Sequence, residues 1–348
     1  MFKPEFSYTH TIVKNLMDIE GAKEVIKNSP ILPIWESRLQ KDALIRQAHH
    51  TTRIEGTQLT IEQVRDLIDD KPVVARKRDI QEVRNYLKVA AFIDEVYADP
   101  DMELDLRTIR HIHYLILDGI EGGYEPGEFR KIQNYVVDNK TKEVIYTPPP
   151  ASEVPILMLE LVDWLRSNEA SELSPLLKAG IAHYQLVTIH PFLDGNGRTA
   201  RALANLILYH SGYDIKKLFS LEEHYDMNPA DYYEALQSVR ATGILTTWLE
   251  YFTVGIAAEM QKIKELVLTH SRDRALRDKI GQIALSERQL TILTYVEKHG
   301  RITNRELQQL ADLSHTSAHK ELLTLVQNGL LNKKGEGRGT YYVRVDDF

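Results

Sequence analysis

Between two strongly apolar helical segments lies a stretch that no continuous helix or strand can accommodate: His190-Pro191-Phe192-Leu193-Asp194-Gly195-Asn196-Gly197-Arg198-Thr199-Ala200-Arg201. Proline near its start and two glycines around an asparagine interrupt the helix predicted over 175–189, and helical spacing resumes over 199–211. The chain is therefore committed to a helix, a polar loop and a second helix, and the remaining segments must hold that loop in place.

Each polar residue of the loop has a chemical use. Gly195, Asn196 and Gly197 precede a helix, where permissive torsions and the helix N-terminus turn successive N–H groups toward an anion. Arg198 and Arg201, three apart, share a helix face and offer two donor forks to a multiply charged ligand. Asp194 supplies a hard carboxylate oxygen suited to Mg²⁺ when phosphates and waters complete its shell. The ligand expected is a magnesium nucleotide. His190, four residues before that carboxylate, is the group able to accept a proton from a hydroxyl at neutral pH.

Around the loop the pattern is helical. Apolar residues at helical spacing run from Pro33 to Arg53, with Gly56 as a stop. Thr60 and Gln63 form a capping box, and further helices are predicted over 80–97, 106–117, 154–166 and 229–261, the last broken near Gly243. Residues 135–137 and 144–146 read as two short strands around a turn at 138–141, ended by the proline run 148–150. Residues 262–282 are charged and nearly free of glycine, a helical connector. Capping boxes at Ser286/Gln289 and Thr303/Glu306, a third helix over 314–328, and a glycine-tipped hairpin over 330–343 make a winged helix-turn-helix.

The 348 residues contain no cysteine, which excludes disulfides, thiolate metal sites and a cysteine nucleophile and fits a reducing compartment. No window approaches the roughly 18 apolar residues of a membrane span, and the N-terminus lacks a signal-peptide core, so a cytoplasmic, non-membrane protein is expected. A net charge of −7 argues against wholesale nucleic-acid coating. Residues 281–348 carry nine basic against eight acidic side chains, only a faint nucleic-acid footprint, leaving DNA and protein partners evenly placed for the winged helix.

The motif from His190 to Arg201 resembles the signature of the Fic family, histidine-x-phenylalanine-x-acid-glycine-asparagine-glycine-arginine-x-x-arginine, at every defined position. The resemblance implies a mainly α fold: a Fic helical core with a β-hairpin flap, joined here to a C-terminal winged helix-turn-helix. Its implied organisation is an N-terminal helical region over 1–104 with an inhibitory helix at about 36–56, a core over 105–261, a connector over 262–285 and the winged helix over 286–348. Fic proteins mostly transfer AMP from ATP to a protein hydroxyl, releasing pyrophosphate. By that likeness His190 is the general base, Asp194 the Mg²⁺ ligand, residues 195–201 the phosphate site, and Tyr146 and Tyr233 adenine-pocket positions. The flap would clamp an extended target segment carrying a Ser, Thr or Tyr; the target is not named by the chain, and self-modification and a homodimer are further expectations of the family.

Upstream, Thr51-Thr52-Arg53-Ile54-Glu55-Gly56 is similar to the family's inhibitory signature, Ser/Thr-x-x-x-Glu-Gly/Asn, which implies that Glu55 pairs with Arg201 and restrains ATP. A carboxylate at a helix C-terminus is disfavoured by about 0.3–1 kcal/mol unless paired, which agrees. Where some animal members carry an asparagine, Arg240 stands here. Transfer of UMP, phosphocholine or phosphate, or removal of AMP, uses the same cradle and stays open. From a different class, a transcriptional regulator sensing nucleotide through this core and acting through the winged helix is the alternative.

The other polar clusters read as structural. His111 and His113 point to opposite helix sides, and adjacent His49 and His50 are expected to diverge, so neither pair predicts a metal site. His315 and His319, four apart, lack a third ligand. Arg76-Lys77-Arg78 reads as solvated surface, and no P-loop sequence occurs.

Overall fold

A computed structural model describes residues 2–29, 31, 33–99, 103–122, 125–137, 143–213, 215–280, 286–335 and 337–345. The described residues form fifteen α-helices: α1 His10–Asn28, α2 Pro33–Ile54, α3 Ile61–Ile68, α4 Lys77–Val96, α5 Leu106–Leu117, α6 Val154–Leu165, α7 Asn168–Glu172, α8 Pro175–Ile189, α9 Asn196–Leu208, α10 Glu222–Met227, α11 Pro229–Thr242, α12 Thr246–Ile280, α13 Glu287–His299, α14 Asn304–Ala311 and α15 His315–Gln327. Two antiparallel hairpins complete the described fold, β1 Val136–Val137 with β2 Val144–Tyr146 and β3 Leu331–Lys334 with β4 Tyr341–Arg344. The mainly α class is as the sequence leads one to expect. The turn expected over 138–141 lies outside the described residues, as do the last residues of the connector, 281–285; the preceding stretch is simply the end of α12.

Met1–Ser29 and Arg38–Leu268 form one compact unit, and Pro30–Ser37 with Thr269–Phe348 another. The centre of the first unit is α8, buried along almost its whole length through Leu176, Leu177, Ala179, Ile181, Ala182, Leu186 and Ile189. It packs on α9 and α6, while α9 also meets α5 and α4. These helices bracket the loop at 190–195, so the polar stretch is carried on the most deeply buried helix pair of the unit.

Against α8 lies α12, at a separation that only glycine allows. A Cβ on Gly180 would stand 2.9 Å from Phe252 Cδ1 and 3.0 Å from Leu249 Cδ2, and the Trp248 indole donates to the Gly180 carbonyl at 2.8 Å. Helix α1, which no sequence motif announces, buries Ile12, Ile19 and Ile26 and is joined to α12 by a buried bond from Asn15 Nδ2 to Thr253 Oγ1.

In the second unit the two expected capping boxes are formed, Ser286 with Gln289 and Thr303 with Glu306. Leu293, Ile302, Leu307, Leu322, Leu325 and Tyr342 are among the residues of its own core. Ile302 and Tyr342 exchange two backbone bonds of 2.8 Å, adding a short third strand to the β3–β4 wing.

Gly180→Ala is expected to cost about 1–3 kcal/mol, because two rigid core side chains must move to admit one methyl group. Urea unfolding of the full chain reads it, and an unchanged midpoint would mean that α8 and α12 are not this close.

Candidate functional site

The loop is built by its own residues. His190 ends α8 with a left-handed backbone (φ 50°), and Gly195 opens α9 in the same region (φ 75°). Helix α9 begins at Asn196, three residues before its sequence-based start, so Gly197 and Arg198 sit in its first turn. Since the first helical bond is Thr199 N–H to Gly195 O, the N–H groups of residues 196–198 have no carbonyl within the helix and are available to an anion. The Asn196 side chain is used on the loop itself. Its Oδ1 accepts from Phe192 N and its Nδ2 donates to Phe192 O, both at 2.9 Å, which leaves only its backbone N–H for a ligand.

His190 is placed to act as a base. Its Nδ1 lies 3.1 Å from the Val187 carbonyl; a carbonyl only accepts, so Nδ1 carries the hydrogen and Nε2 keeps its lone pair. Burial lowers its pKa to about 4, leaving the ring neutral at physiological pH. Arg130 fixes the same loop from the flap side: its Nε donates to His190 O at 2.9 Å, its Nη2 to Pro149 O at 2.5 Å, and its backbone N–H to Pro191 O.

Two buried arginines face a set of carboxylates. Arg201, 2 % exposed, donates from Nη2 to Glu55 Oε1 at 2.7 Å and to Thr51 O at 3.0 Å, and from Nε to Thr51 Oγ1 at 2.9 Å. Burial alone would weaken its hold on the proton, yet the neighbouring Glu55 charge outweighs this and raises its pKa. Glu55 reaches it across Gly197, where a Cβ would stand 2.6 Å from Glu55 Oε1. Arg198 lies 3.3 Å from Asp194 and 3.4 Å from Glu82, and its buried Nε has no hydrogen-bond partner among the described residues. Burial pushes the Asp194 carboxyl up, but the charge of Arg198, the Gly195 N–H and Arg78 hold it below the ordinary value, so it is ionised.

The flap lies alongside. Tyr146 donates its hydroxyl to Thr188 O at 2.8 Å, and the Arg240 guanidinium stacks 3.5 Å over its ring. Gln237 on α11 donates to Ile145 O. Tyr233, on α11, is 43 % exposed.

Residues 103–208 match the Fic/DOC family, and residues 287–335 match the IclR helix-turn-helix domain. Residues 103–208 form a Fic/DOC domain. The chain is 35 % identical over 215 residues to the protein adenylyltransferase Fic of Drosophila willistoni, covering 59 % of this chain and 41 % of that protein. It is 30 % identical over 207 residues to the Culex quinquefasciatus protein of the same name, again covering 59 % of this chain and 40 % of the relative. The chain thus spans about two fifths of these relatives. Among solved structures, a Fic family protein from Desulfovibrio desulfuricans shares the fold over 100 % of this chain and 99 % of its own (TM-score 0.70, 23 % identity). Residues 134–508 of Fic-1 from C. elegans match 74 % of this chain and 73 % of theirs (TM-score 0.63, 26 % identity).

Several supports of the Fic loop escape a sequence reading. Arg78, expected on solvated surface, pairs with Asp194 at 2.9 Å and with Glu82 at 2.9 Å, and Arg76 donates to Gly56 O at 3.1 Å. The run is exposed, as expected, yet Arg76 and Arg78 also reach buried carboxylates, Asp79 and Glu82, on α4. His113 stacks on Phe192 with ring centroids 3.6 Å apart; its Nδ1 accepts from Gly127 N–H, so its Nε2 donates to Asp194 O at 3.0 Å. His49 and His50, expected to diverge, meet edge to face with ring centroids 4.8 Å apart, with His49 buried and His50 held by Asp226 at 2.7 Å.

Burial lowers His113 to about 4 and His183 to about 3, alongside His190. Unfolded imidazoles titrate near 6.5, so below that pH the unfolded chain binds protons that the fold excludes. The contribution is complete above about 6.5 and is lost as pH falls toward the folded values. For His113 alone the loss is on the order of 3 kcal/mol by about pH 4. The melting temperature is expected to fall steadily from about pH 7 to about pH 5; a flat profile would show that these rings are not held neutral.

Proposed function

We propose that this chain is an autoinhibited protein adenylyltransferase, transferring AMP from Mg-ATP to a Ser, Thr or Tyr hydroxyl of a target protein or of itself. The relatives named protein adenylyltransferase support the activity, and the Arg201–Glu55 pair carries the regulation.

Arg198 and Arg201 would bind the polyphosphate together with the N–H groups of residues 196–198, and the unpaired Nε of Arg198 is one donor still lacking an acceptor. A Mg²⁺ ion suits the ionised, partly exposed Asp194 carboxylate, and when bound it offsets phosphate charge. His190 Nε2 takes the proton of the target hydroxyl as its oxygen attacks the α-phosphorus; the bond to the pyrophosphate oxygen breaks, and pyrophosphate leaves. The flap, tied to α8 by Tyr146 and to α11 by Gln237, would hold the target segment by strand addition. Tyr146 and Tyr233 would border the adenine. With Glu55 on Arg201, that arginine is unavailable to the γ-phosphate, and the α-phosphorus is not set for in-line attack.

Residues 286–348 would serve as a separate DNA or protein contact. The helix-turn-helix match favours, as a second reading, a nucleotide-sensing transcriptional regulator. Among the described residues no helix is long and apolar enough to cross a membrane, which accords with a cytoplasmic site of action. A homodimer is the further family expectation.

With Mg²⁺ and ATP labelled on the α-phosphate, Glu55→Gly is expected to label itself or lysate proteins about 10-fold or more above wild type, and Glu55→Gly with His190→Ala to fall back by at least about 100-fold. Because His190 is lowered to about 4, the Glu55→Gly rate should be nearly level from about pH 6 to about pH 8. No label in any variant, with a salt-dependent shift of a specific DNA fragment by the wild-type chain, would favour the regulator.

A further inference from the structure

A second polar cluster lies on the same inhibitory helix, away from the nucleotide loop. His49, His50 and Asp226 each place a ligand-type atom within 4.8 Å of the other two, and no other such trio occurs among the described residues. His49 is 7 % exposed, and its Nδ1 has no hydrogen-bond partner among the described residues. His50 Nδ1 lies 2.7 Å from Asp226 Oδ2. Arg53 also approaches this carboxylate, at 3.7 Å, but is 58 % exposed and can swing into solvent.

The trio opens on a cleft of about 930 Å³ lined also by Thr57, Glu62, Met227 and Pro229, giving an ion access and water to complete its shell. Glu62 acts electrostatically on His49 from this cleft and adds negative charge to it. Two imidazoles and one carboxylate with room for water are a donor set for zinc, cobalt or nickel; magnesium and calcium prefer oxygen alone. Zinc bonds of about 2.0–2.1 Å need donors about 3.4 Å apart, which side-chain rotations can reach from the present spacing.

We propose that His49, His50 and Asp226 bind an imidazole-preferring divalent cation, zinc being the probe, and that the ion locks the inhibitory helix in its seated position. His49 and His50 belong to α2, about one and a half turns before Glu55, and Asp226 belongs to α10. The three donors converge only while α2 lies against α10, so the ion binds the Glu55-inserted arrangement better than any state in which the helix end has moved. That differential affinity is what shifts the equilibrium. The regulatory half of this proposal rests on the inhibitory reading of Glu55; the binding half does not.

The test uses the full chain. Zinc binding by calorimetry is expected at one ion per chain in the wild type and in Glu55→Gly, and about 10-fold or more weaker in both His50→Gln and Asp226→Asn. Melting curves without metal confirm that these two variants fold. Zinc at saturation, with magnesium in excess, should reduce wild-type AMP transfer several-fold while leaving Glu55→Gly unaffected. Absent binding, or binding that neither variant weakens, overturns the site. Equal zinc inhibition of wild type and Glu55→Gly overturns the lock, since the ion then acts at Asp194. If Glu55→Gly is no more active than wild type without zinc, the inhibitory reading of Glu55 fails by itself, and the calorimetry still decides the site.

Discussion

Arg201 cannot stand alone where it is. At 2 % exposure its charge has lost nearly all contact with water, and an unpaired buried charge costs several kcal/mol. Some anion must occupy the space above Gly197, and in this structure it is Glu55. Arg198 faces the same demand and meets it through Asp194 and Glu82 at 3.3 and 3.4 Å, separations longer than a good ion-pair bond. The protein therefore holds two arginines whose ion-pair partners are carboxylates of its own chain, an arrangement that, on the proposed reading, an incoming polyphosphate replaces without leaving a charge bare.

How firmly the carboxylate holds depends on what seats the end of α2. Arg76 bonds the Gly56 carbonyl, Thr57 donates to Glu82 Oε2 at 2.7 Å, and Thr51 gives Arg201 both its hydroxyl and its carbonyl. Glu82 is shared, since it also receives Arg78 and stands near Arg198. The turn that presents Glu55 and the loop that presents Asp194 are thereby tied to one buried carboxylate on α4, so a change at either is felt by both.

The sequence made the loop and its chemistry legible because the information there is local. Glycine torsions, a helix start and charges a few residues apart need no knowledge of the fold, and the same holds for the capping boxes and the wing hairpin. Arg78, Arg130 and His113 were not legible as parts of the site. Their partners lie 116, 60 and 81 residues away, at Asp194, His190 and again Asp194, and nothing at such distance alters the local pattern. Helix α1 escaped for a related reason: its apolar stripe is sparse, Ile12, Ile19, Ala22 and Ile26, and its buried polar bond is to Thr253, 238 residues away. His49 and His50 show the limit of helical geometry as a guide. Adjacent residues start about 100° apart, but two imidazoles can rotate about χ1 and χ2 to meet, and a carboxylate across the groove gives them reason to.

An internal inhibitor differs from a dissolved one in having no dilution. On the proposed reading Glu55 competes with a phosphate for Arg201 at the effective concentration set by the end of α2, which for a short, well-packed tether lies in the millimolar range or above. On the proposed reading, nucleotide alone shifts the pair only so far as its own contacts at Arg198 and the α9 N-terminus outweigh those that seat Gly56 and Thr57. Anything that loosens Arg76 from Gly56 or Thr57 from Glu82 lowers that effective concentration without touching the arginine. The control over Arg201 thus lies less in the strength of its ion pair than in the hydrogen bonds that aim Glu55 at it.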